Sequence, residues 1–403
     1  MLNQILKNKY SIYSYYAITS LLILLFVTSY NEYNWDMLGY VGSVKSFEIT
    51  DKEALHSYVY SEAKNSIPTE KLNALLGGGG VPSKEEIGKP ISQIPKASSD
   101  YYQKVMSTDP EAFYQQLPFY QIRVIYIALV YLVSELGVNI FLATNLISTI
   151  SLILGLWILL FAFKPYINNY LLYSIPFFFL AFGLIEVAKL GTPDGLAFLM
   201  VTIIAYLFTR IHWSILIIIP ISILVRTDLI IYAVLILGYL LIYYKAWRYL
   251  TIASILSSAL IYYLVNQYFG NYGWMTVFYF SFIEPITHPA DFTIQISLIE
   301  FLKSYKVGIV SMLFNPPFLV YIAITILSLF LLAKSQGRNL YEKRTFNLMR
   351  YISLSSFLYI AIHFLLYPSI WNRFFIGQYM LGLAILLYLM SNEYLAIKSP
   401  TKQ

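Results

Sequence analysis

The chain has 403 residues, of which 58% are hydrophobic and 12% are charged, and its mean hydropathy is +0.64. A soluble domain carries about 25% charged residues, so this composition excludes a soluble multidomain enzyme, a nucleic-acid-binding protein and a disordered scaffold. It indicates a polytopic membrane protein with a single membrane domain over residues 1–403. The chain contains no cysteine, which excludes disulfides, thiolate metal sites and a cysteine nucleophile.

Ten segments have the apolar character of a membrane span, for which about 20 residues are needed. Six of them are clear: 13–30, 139–163, 249–268, 307–333, 351–367 and 374–390. Four shorter runs lie in the middle of the chain, at 170–185, 195–209, 214–225 and 229–244. The sequence therefore predicts an all-α bundle of about ten transmembrane helices, in which the first span is a retained signal anchor.

The distribution of basic residues predicts the topology, because cytoplasmic loops collect Lys and Arg. If residues 122–136 do not cross the membrane, the inner segments hold 13 basic and two acidic residues. Both termini are then cytoplasmic, and residues 119–137 form a helix in the outer interface. The same topology gives a first outer loop (31–118), central helices (139–268), a second outer loop (269–306) and C-terminal helices (307–392).

Two loop motifs carry alternative interpretations. The run Gly77 to Gly80 is more typical of a flexible hinge than of an anion-binding nest. In the second outer loop, Glu284, His288 and Asp291 could bind a metal or cover a pocket, but they lack standard zinc spacing and favour a structured turn.

Charged residues within the short central spans are functional candidates, because ionisable groups at membrane depth are costly. Asp194 and Arg226 are each separated from Arg210 by 15 residues, and such segments rise only about 24 Å. If Arg210 lies at the inner surface, Asp194 and Arg226 stop at a similar depth below the outer surface. This spacing predicts a recessed polar pocket that opens outward.

Further charged residues are expected at the outer ends of other spans. Asp36 follows the first span within Asn34 to Tyr40, and Arg373 precedes the last one. For Lys189, Arg123 and Asp228, a functional role and an interfacial ion pair are equally good interpretations. His363 lies in an apolar span, where a structural hydrogen bond is the favoured interpretation.

The order of these features resembles the GT-C glycosyltransferases. An acid follows the first span, a long outer loop leads to an interfacial helix opened by Pro118-Phe119-Tyr120-Gln121-Ile122-Arg123, and a Pro-Asp pair marks an outer helix end at Asp194. The layout is similar to that of protein mannosyltransferases, lipid A aminoarabinose transferases and serotype-converting glucosyltransferases. The likeness covers residues 1 to about 230.

The resemblance implies a polyprenyl-phosphate-linked sugar donor and a first-loop acid that serves the reaction, a role that maps onto Asp36. The later acid of the family maps onto Asp194. Many members carry a pair of acids where this chain has Asp36 alone, so a divalent metal is possible but no metal ligand is assigned.

Elementary chemistry fits these roles, because a hydroxyl that attacks an anomeric carbon needs a base and the departing phosphate needs cations. We expect Asp36 to be the base, Arg226 and Arg373 to hold the phosphate, and Asp194 to orient a substrate hydroxyl. Lys189, Arg123 and Tyr40 are further substrate-binding candidates. One base predicts inversion of the anomeric configuration.

The expected partners are the donor, a glycan, lipid or protein acceptor, and the lipid bilayer of a bacterial cytoplasmic membrane, with no nucleic acid. One alternative is a surface-polysaccharide polymerase or ligase that uses a polyprenyl-pyrophosphate-linked glycan and depends more on Arg226 and Arg373. Another is a transporter or flippase, for which the recessed charges would line a substrate pathway.

Overall fold

The computed structural model describes residues 9–76, 99–335 and 343–398, and within these ranges the protein is helical with no strand. The four glycines at 77–80 lie outside the described residues. In chain order the helices are α1 (Lys9–Ser29), α2 (Trp35–Lys45), α3 (Lys52–Ser66), α4 (Thr69–Leu75), α5 (Ser99–Thr108), α6 (Pro110–Gln116), α7 (Pro118–Gln121), α8 (Val124–Glu135), α9 (Ile140–Phe163), α10 (Asn169–Leu172), α11 (Ser174–Ala181), α12 (Leu184–Lys189), α13 (Asp194–Arg210), α14 (Ile215–Ile223), α15 (Leu229–Tyr243), α16 (Arg248–Tyr268), α17 (Trp274–Phe282), α18 (Leu298–Leu313), α19 (Pro316–Ser335), α20 (Lys343–Leu366) and α21 (Asn372–Lys398).

Six of the described helices are long and apolar enough to cross a bilayer, so the protein is an all-α polytopic membrane protein. They are α1, α9, α16, α19, α20 and α21. Leu21, Leu260 and Phe330 illustrate the exposed apolar side chains on the outer surfaces of α1, α16 and α19. Exposed apolar faces of this size are unfavourable in water and are stable in contact with lipid. The four shorter predicted spans correspond to shorter helices in the stretch α10 to α15, and their crossing of the membrane stays a prediction.

One predicted span differs from the observed helices. The apolar stretch 307–333 is divided between α18, which ends at Leu313, and α19, which begins at Pro316. The break follows from local chemistry, because proline is favoured at the start of a helix. Asn315 also caps the new helix by accepting a hydrogen bond from the backbone N–H of Phe318.

The segment expected at the outer interface is sharply bent. Helices Pro110–Gln121 and Val124–Glu135 meet at an angle of 109°, with Ile122 and Arg123 at the elbow. The backbone N–H of Ile125 donates to the carbonyl of Leu224, which fixes the start of α8 against the link between α14 and α15. The elbow thereby brings Arg123 close to the level of Arg226.

Helices α9 and α13 pack closely because small and hydroxylated residues line their contact. A Cβ at Gly195 would collide with the backbone carbonyl of Ser148. Thr149 and Ser148 donate hydrogen bonds to the carbonyls of Ala188 and Val187, at 2.9 and 3.3 Å. These bonds attach the end of α12 to α9 and so fix the turn that leads into α13.

The last long helix, α21, is the central element of the bundle. Most of its described residues are buried, among them Phe375, Tyr379 and Met380. It packs against α13, α19 and α20, and its first turn carries Arg373. Helices α9, α13 and α21 thus form the rigid part of the molecule to which the polar residues are attached.

We predict that Gly195→Ala destabilises the protein. The added methyl group meets a backbone atom that cannot rotate away, and overpacking of this kind costs about 1–3 kcal/mol. Thermal unfolding of the detergent-solubilised protein should therefore show a lower midpoint. Gly238→Ala is the matched control, because no atom lies within 4 Å of a Cβ at that helical position. Equal midpoints for the two variants would contradict the close packing of α9 on α13.

Candidate functional site

A single cavity of about 390 Å³ collects most of the residues that the sequence singles out. It lies among α2, the α7–α8 elbow, the α12–α13 turn, the α14–α15 link, α16, α17 and the facing ends of α20 and α21. The predicted site residues that line it are Asp36, Tyr40, Arg123, Asp194, Arg226 and Arg373. These six come from five separate stretches of the chain.

Helix α2 supplies the acid expected to serve as base. Asn34 caps the helix by accepting a hydrogen bond from the backbone N–H of Met37 at 3.1 Å, which places Asp36 in the first turn. Tyr40 lies one turn later, between the rings of Tyr120 and Tyr126. Burial raises the pKa of the Tyr40 hydroxyl, so this group stays protonated and offers a hydrogen bond rather than a base.

Asp194 is held by the turn between α12 and α13. Its Oδ2 accepts a hydrogen bond from the hydroxyl of Thr192 at 2.7 Å, and the side chain is 3% exposed. An ionised carboxylate at such a position requires a close cation, because its desolvation is otherwise very costly.

Arg226, in the link between α14 and α15, is that cation. Its Nη1 donates to Oδ1 of Asp194 at 2.6 Å, while Nε and Nη2 donate to the two carboxylate oxygens of Asp228 at 3.0 and 2.6 Å. The guanidinium also lies 4.4 Å from the centre of the Phe374 ring. Asp194 and Arg226, expected from their spacing at one depth, are in direct contact.

Arg373 connects this buried pair to Asp36. Its Nη1 donates to Oδ2 of Asp36 at 2.8 Å, and its Nε lies 3.9 Å from Oδ2 of Asp194. The side chain is 23% exposed, compared with 7% for Arg226. Acids and guanidiniums therefore alternate along the cavity wall in the order Asp36, Arg373, Asp194, Arg226, Asp228.

Arg123 differs from the other two arginines of the cavity. Its Nη1 donates to the carbonyl of Phe119, its Nε is buried without a hydrogen-bond partner, and no carboxylate of the described residues lies within salt-bridge distance. Arg123 thus has no carboxylate partner among the described residues, whereas Arg226 already holds two carboxylates. Besides the buried Nε, Nη2 is the guanidinium nitrogen of Arg123 for which the structure describes no hydrogen bond, and it is the donor left for an anionic ligand.

Lys189 lies outside the cavity, so its placement does not support the predicted substrate-binding role. Its Nζ is 3.1 Å from Glu32 and 3.5 Å from Glu186, and it lies against the ring of Phe26. As the last residue of α12 it faces the end of α1. The pair with Glu32 joins the end of α12 to the link after α1, the pair with Glu186 lies within α12, and both correspond to the interfacial alternative.

Three further residues lie at the site: Asp228, for which a functional role is one of two interpretations of the sequence, and Tyr359 and His363, for which the sequence predicts no role in the site. Asp228 accepts a hydrogen bond from the hydroxyl of Tyr359 at 2.7 Å, and Nε2 of His363 lies 3.7 Å from the same carboxylate oxygen. Both partners lie on α20, one turn apart. Asp228 could have been predicted as a partner of Arg226, because it is only two residues away in the sequence. Nothing in the sequence connects α20 with that pair.

The segment 284–291, which we call the cover segment, lies beside the cavity and contacts one of its lining residues. Gln116, a cavity residue, donates to the carbonyl of Ile286 at 3.0 Å, and Gln115 accepts from the backbone N–H of Ala290 at 3.1 Å. Nε2 of His288 lies 3.1 Å from Asp109, the N-cap of α6. The cover segment is therefore a structured turn fastened to the first outer loop.

The described residues contain no group of three or more His, Asp or Glu side chains that could hold a metal. His288 and Asp291 of the cover segment contact Asp109 and Gln115, respectively. In the cavity, Asp36, Asp194 and Asp228 are each engaged by a guanidinium. The donor set thus gives the metal alternative no support from geometry.

The opposite side of the cavity is apolar. Ile230 and Ile231 of α15, Val277 of α17 and Leu366 of α20 line it, together with aromatic side chains. Three of the aromatic side chains at this side are also exposed on the protein surface, namely Tyr262 (40%), Trp274 (40%) and Trp371 (43%). Helix α16 packs mainly on α14 and α15. The apolar side of the cavity is accordingly adjacent to the lipid-facing surface.

We predict that Arg226→Leu strongly destabilises the protein. The substitution removes the cation between Asp194 and Asp228 and leaves at least one buried carboxylate unpaired, a change that costs about 3–5 kcal/mol. The measurement is the unfolding midpoint in detergent. Arg350→Leu, an exposed arginine on α20, is the control and should change the midpoint little. A stable Arg226→Leu protein would show that the buried pair does not hold the cavity together.

We also predict that Gln115→Ala loosens the cover segment. The backbone N–H of Ala290 loses its acceptor, so its hydrogen exchange should accelerate while exchange in α9 and α13 stays unchanged. Mass-spectrometric hydrogen exchange over peptides that contain residues 286–291 measures this. Gln121→Ala is the control, because Gln121 donates to Ser46 instead. Equal exchange in both variants would show that Gln115 does not fasten the segment.

The arrangement can remove a proton at Asp36, bind an anion at Arg123 and Arg373, and accept an apolar chain on the side opposite the cover segment. Which ligand combines these properties has to be inferred from the cavity itself. No protein-family model, curated protein or solved structure matches the chain.

Proposed function

We propose that the protein is a glycosyltransferase that moves a sugar from a polyprenyl-phosphate-linked donor to an acceptor glycan, lipid or protein. The proposal rests on one observation: the carboxylate of Asp36, the guanidiniums of Arg123 and Arg373, and an apolar wall line the same cavity. A lipid-linked sugar phosphate has the complementary parts: a hydroxylated sugar, an anionic phosphate and a long hydrocarbon chain.

The reaction assigns a balanced role to each group. The oxygen of an acceptor hydroxyl attacks the anomeric carbon, the bond between that carbon and the phosphate oxygen breaks, and the hydroxyl proton passes to Asp36. Polyprenyl phosphate leaves with the bonding electron pair. A single displacement of this kind inverts the anomeric configuration.

The pairing of Asp36 with Arg373 makes donor binding a condition for catalysis. While the guanidinium donates to Asp36, it occupies one of the carboxylate oxygens that would accept the proton. A donor phosphate offers Arg373 a better partner, because guanidinium and phosphate form bidentate hydrogen bonds. Phosphate binding therefore releases Asp36 to accept a proton, and Arg123 supplies a second cation for the leaving group.

Arg226 has a positioning role in this scheme rather than the phosphate-binding role expected from the sequence. Its guanidinium is buried and already donates to Asp194 and Asp228. It holds the Asp194 carboxylate in place beside the cavity, where the remaining lone pairs of the carboxylate can orient a sugar or acceptor hydroxyl. Tyr40, with its hydroxyl protonated, can donate a further hydrogen bond.

The orientation of the site belongs to the proposal as well. Asp194 and Arg210 begin and end the same helix, α13, and Asp228 immediately precedes α15, which ends close to Lys245 and Arg248. The cavity and the basic helix ends thus lie on opposite sides. The positive-inside rule assigns the basic side to the cytoplasm, so the cavity faces outward and both termini are cytoplasmic.

The test is Asp36→Asn in cells that carry the gene, compared with wild type and a deletion. We expect both altered strains to lose one defined sugar from their surface glycans or glycolipids, as measured by mass spectrometry, because an amide cannot take the proton. Glu53→Gln is the matched control, since Glu53 is an exposed acid of the first outer loop.

Other outcomes would assign the protein differently. Shortened polymers with intact repeat units would indicate a polymerase or ligase in place of the proposed transferase. Unchanged glycans in the deletion strain would indicate transport of a substrate. Full activity of Asp36→Asn, with loss in the deletion strain, would sink Asp36 as the base while leaving sugar transfer intact.

A further inference from the structure

The face of the molecule opposite the cavity carries a compact group of aromatic and basic side chains. At the end of α15, the ring of Tyr239 lies 4.6 Å from that of Tyr243 and 4.3 Å from that of Tyr351 on α20. Tyr244 stacks on Trp247 at 5.9 Å. These rings connect the end of α15, the turn Lys245–Trp247 and the beginning of α20 into one surface.

Three exposed cations surround these rings. Lys245 and Arg248 flank Trp247, and Arg344 lies near Tyr239 at the start of α20. Among the residues that the structure describes, no ion pair joins any of these cations to a carboxylate, and no acidic side chain is part of this group. We call Lys245, Arg248, Arg344 and the five aromatic residues the basic aromatic patch.

The distance between the patch and the cavity, measured along the helices, indicates where the patch lies in the membrane. Helix α15 has 15 residues and spans about 22 Å, and its other end is at the cavity. On α20, Arg344 and the cavity residue His363 are separated by about 28 Å at the same rise per residue. The hydrocarbon core of a bilayer is about 30 Å thick, so a patch at this distance lies at the second membrane interface.

We propose that the basic aromatic patch binds the headgroup of an anionic glycerophospholipid of the leaflet opposite the cavity. The lipid phosphate and its net negative charge are complementary to three unpaired cations. Tyr and Trp rings favour the headgroup level, where one edge is apolar and the other is wet. Exposed apolar side chains next to the patch, Ile242 and Leu250, offer a surface to the acyl chains.

The proposal is independent of the reaction in the cavity, because none of the patch residues lines it. An isolated salt-bridge network would give the same residues a structural role, but the part of the chain that the structure describes offers them no carboxylate partner. Free phosphate carries the same anionic group as the lipid, but it has no apolar part that could contact the aromatic and apolar side chains of the patch. We therefore assign a lipid, and not free phosphate, as the ligand of the patch.

Native mass spectrometry of the detergent-solubilised full chain tests the proposal with phosphatidylglycerol, phosphatidylcholine and inorganic phosphate as separate probes. We expect wild type to retain phosphatidylglycerol in preference to phosphatidylcholine and not to bind inorganic phosphate measurably. The triple variant Lys245→Gln, Arg248→Gln, Arg344→Gln should lose roughly a hundredfold in affinity for phosphatidylglycerol, since each cation contributes about fivefold.

The triple variant Lys64→Gln, Lys303→Gln, Lys306→Gln is the matched control. It removes the same number of charges from exposed positions on α3 and α18 and should bind phosphatidylglycerol like wild type. Arg344→Gln alone, with about a fivefold loss, keeps the test valid if the triple variant does not fold.

Three results would overturn the proposal. They are equal retention of phosphatidylglycerol and phosphatidylcholine by wild type, binding of inorganic phosphate as tight as that of the lipid, and an equal loss in the control and patch variants. None of these results bears on sugar transfer, and a failure of sugar transfer leaves the lipid site untouched.

Discussion

The ion pair between Asp194 and Arg226 is the interaction on which the cavity depends. Both side chains are almost fully buried, and Nη1 of Arg226 lies 2.6 Å from Oδ1 of Asp194. Neither charge can remain alone at this depth, because an unpaired buried ion costs several kcal/mol. The pair therefore forces the beginning of α13 and the link before α15 to stay together. Asp228 and Arg373 extend the same constraint to α15, α21 and, through Asp36, to α2.

Close helix packing makes that pairing geometrically possible. Gly195 lets α13 approach the carbonyl of Ser148 on α9, and the hydroxyls of Ser148 and Thr149 fasten the end of α12 to the same helix. Hydrogen bonds of this type between membrane helices each contribute about 0.6–2 kcal/mol. The turn that carries Asp194 has little freedom as a result. The preorganisation of the carboxylate is thus a property of the bundle and not of a flexible loop.

Much of the fold and part of the site were predictable from the sequence, the fold from apolar length and the site from the spacing of charged residues. Apolar length alone identifies the six long helices, and the spacing of Asp194 and Arg226 from Arg210 predicts their common level. For Lys189, sequence spacing gives the depth but not the side of α12 that it occupies, and its substrate-binding role stays a prediction. The link of His363 and Tyr359 to Asp228 joins α20 to α15, more than 100 residues apart. Such tertiary contacts leave no periodic signal in one sequence.

The elbow and the cover segment show the same distinction. The sequence predicts one helix over residues 119–137, whereas the structure has an elbow at Ile122 and Arg123 with an angle of 109°, which follows from packing that no local motif encodes. His288 and Asp291 carry the composition of a metal site, yet their contacts are Asp109 and Gln115 of the first outer loop. Residue type restricts the possible chemistry, but only the neighbours decide which possibility is realised.

Charge balance gives the alternating acids and arginines a role beyond stability. In the cavity, the carboxylates of Asp36, Asp194 and Asp228 are matched by the guanidiniums of Arg123, Arg226 and Arg373, so the empty set is neutral. A donor phosphate diester adds one negative charge, and sugar transfer would turn it into a monoester with a second one. In the proposed reaction Asp36 loses its own charge at the same moment, because it receives the acceptor proton. Arg373 already exchanged one anionic partner for another when the donor bound, and the total charge that the protein has to stabilise is the same before and after the transfer. The buried part of the site needs this balance, since any uncompensated charge created there would raise the barrier.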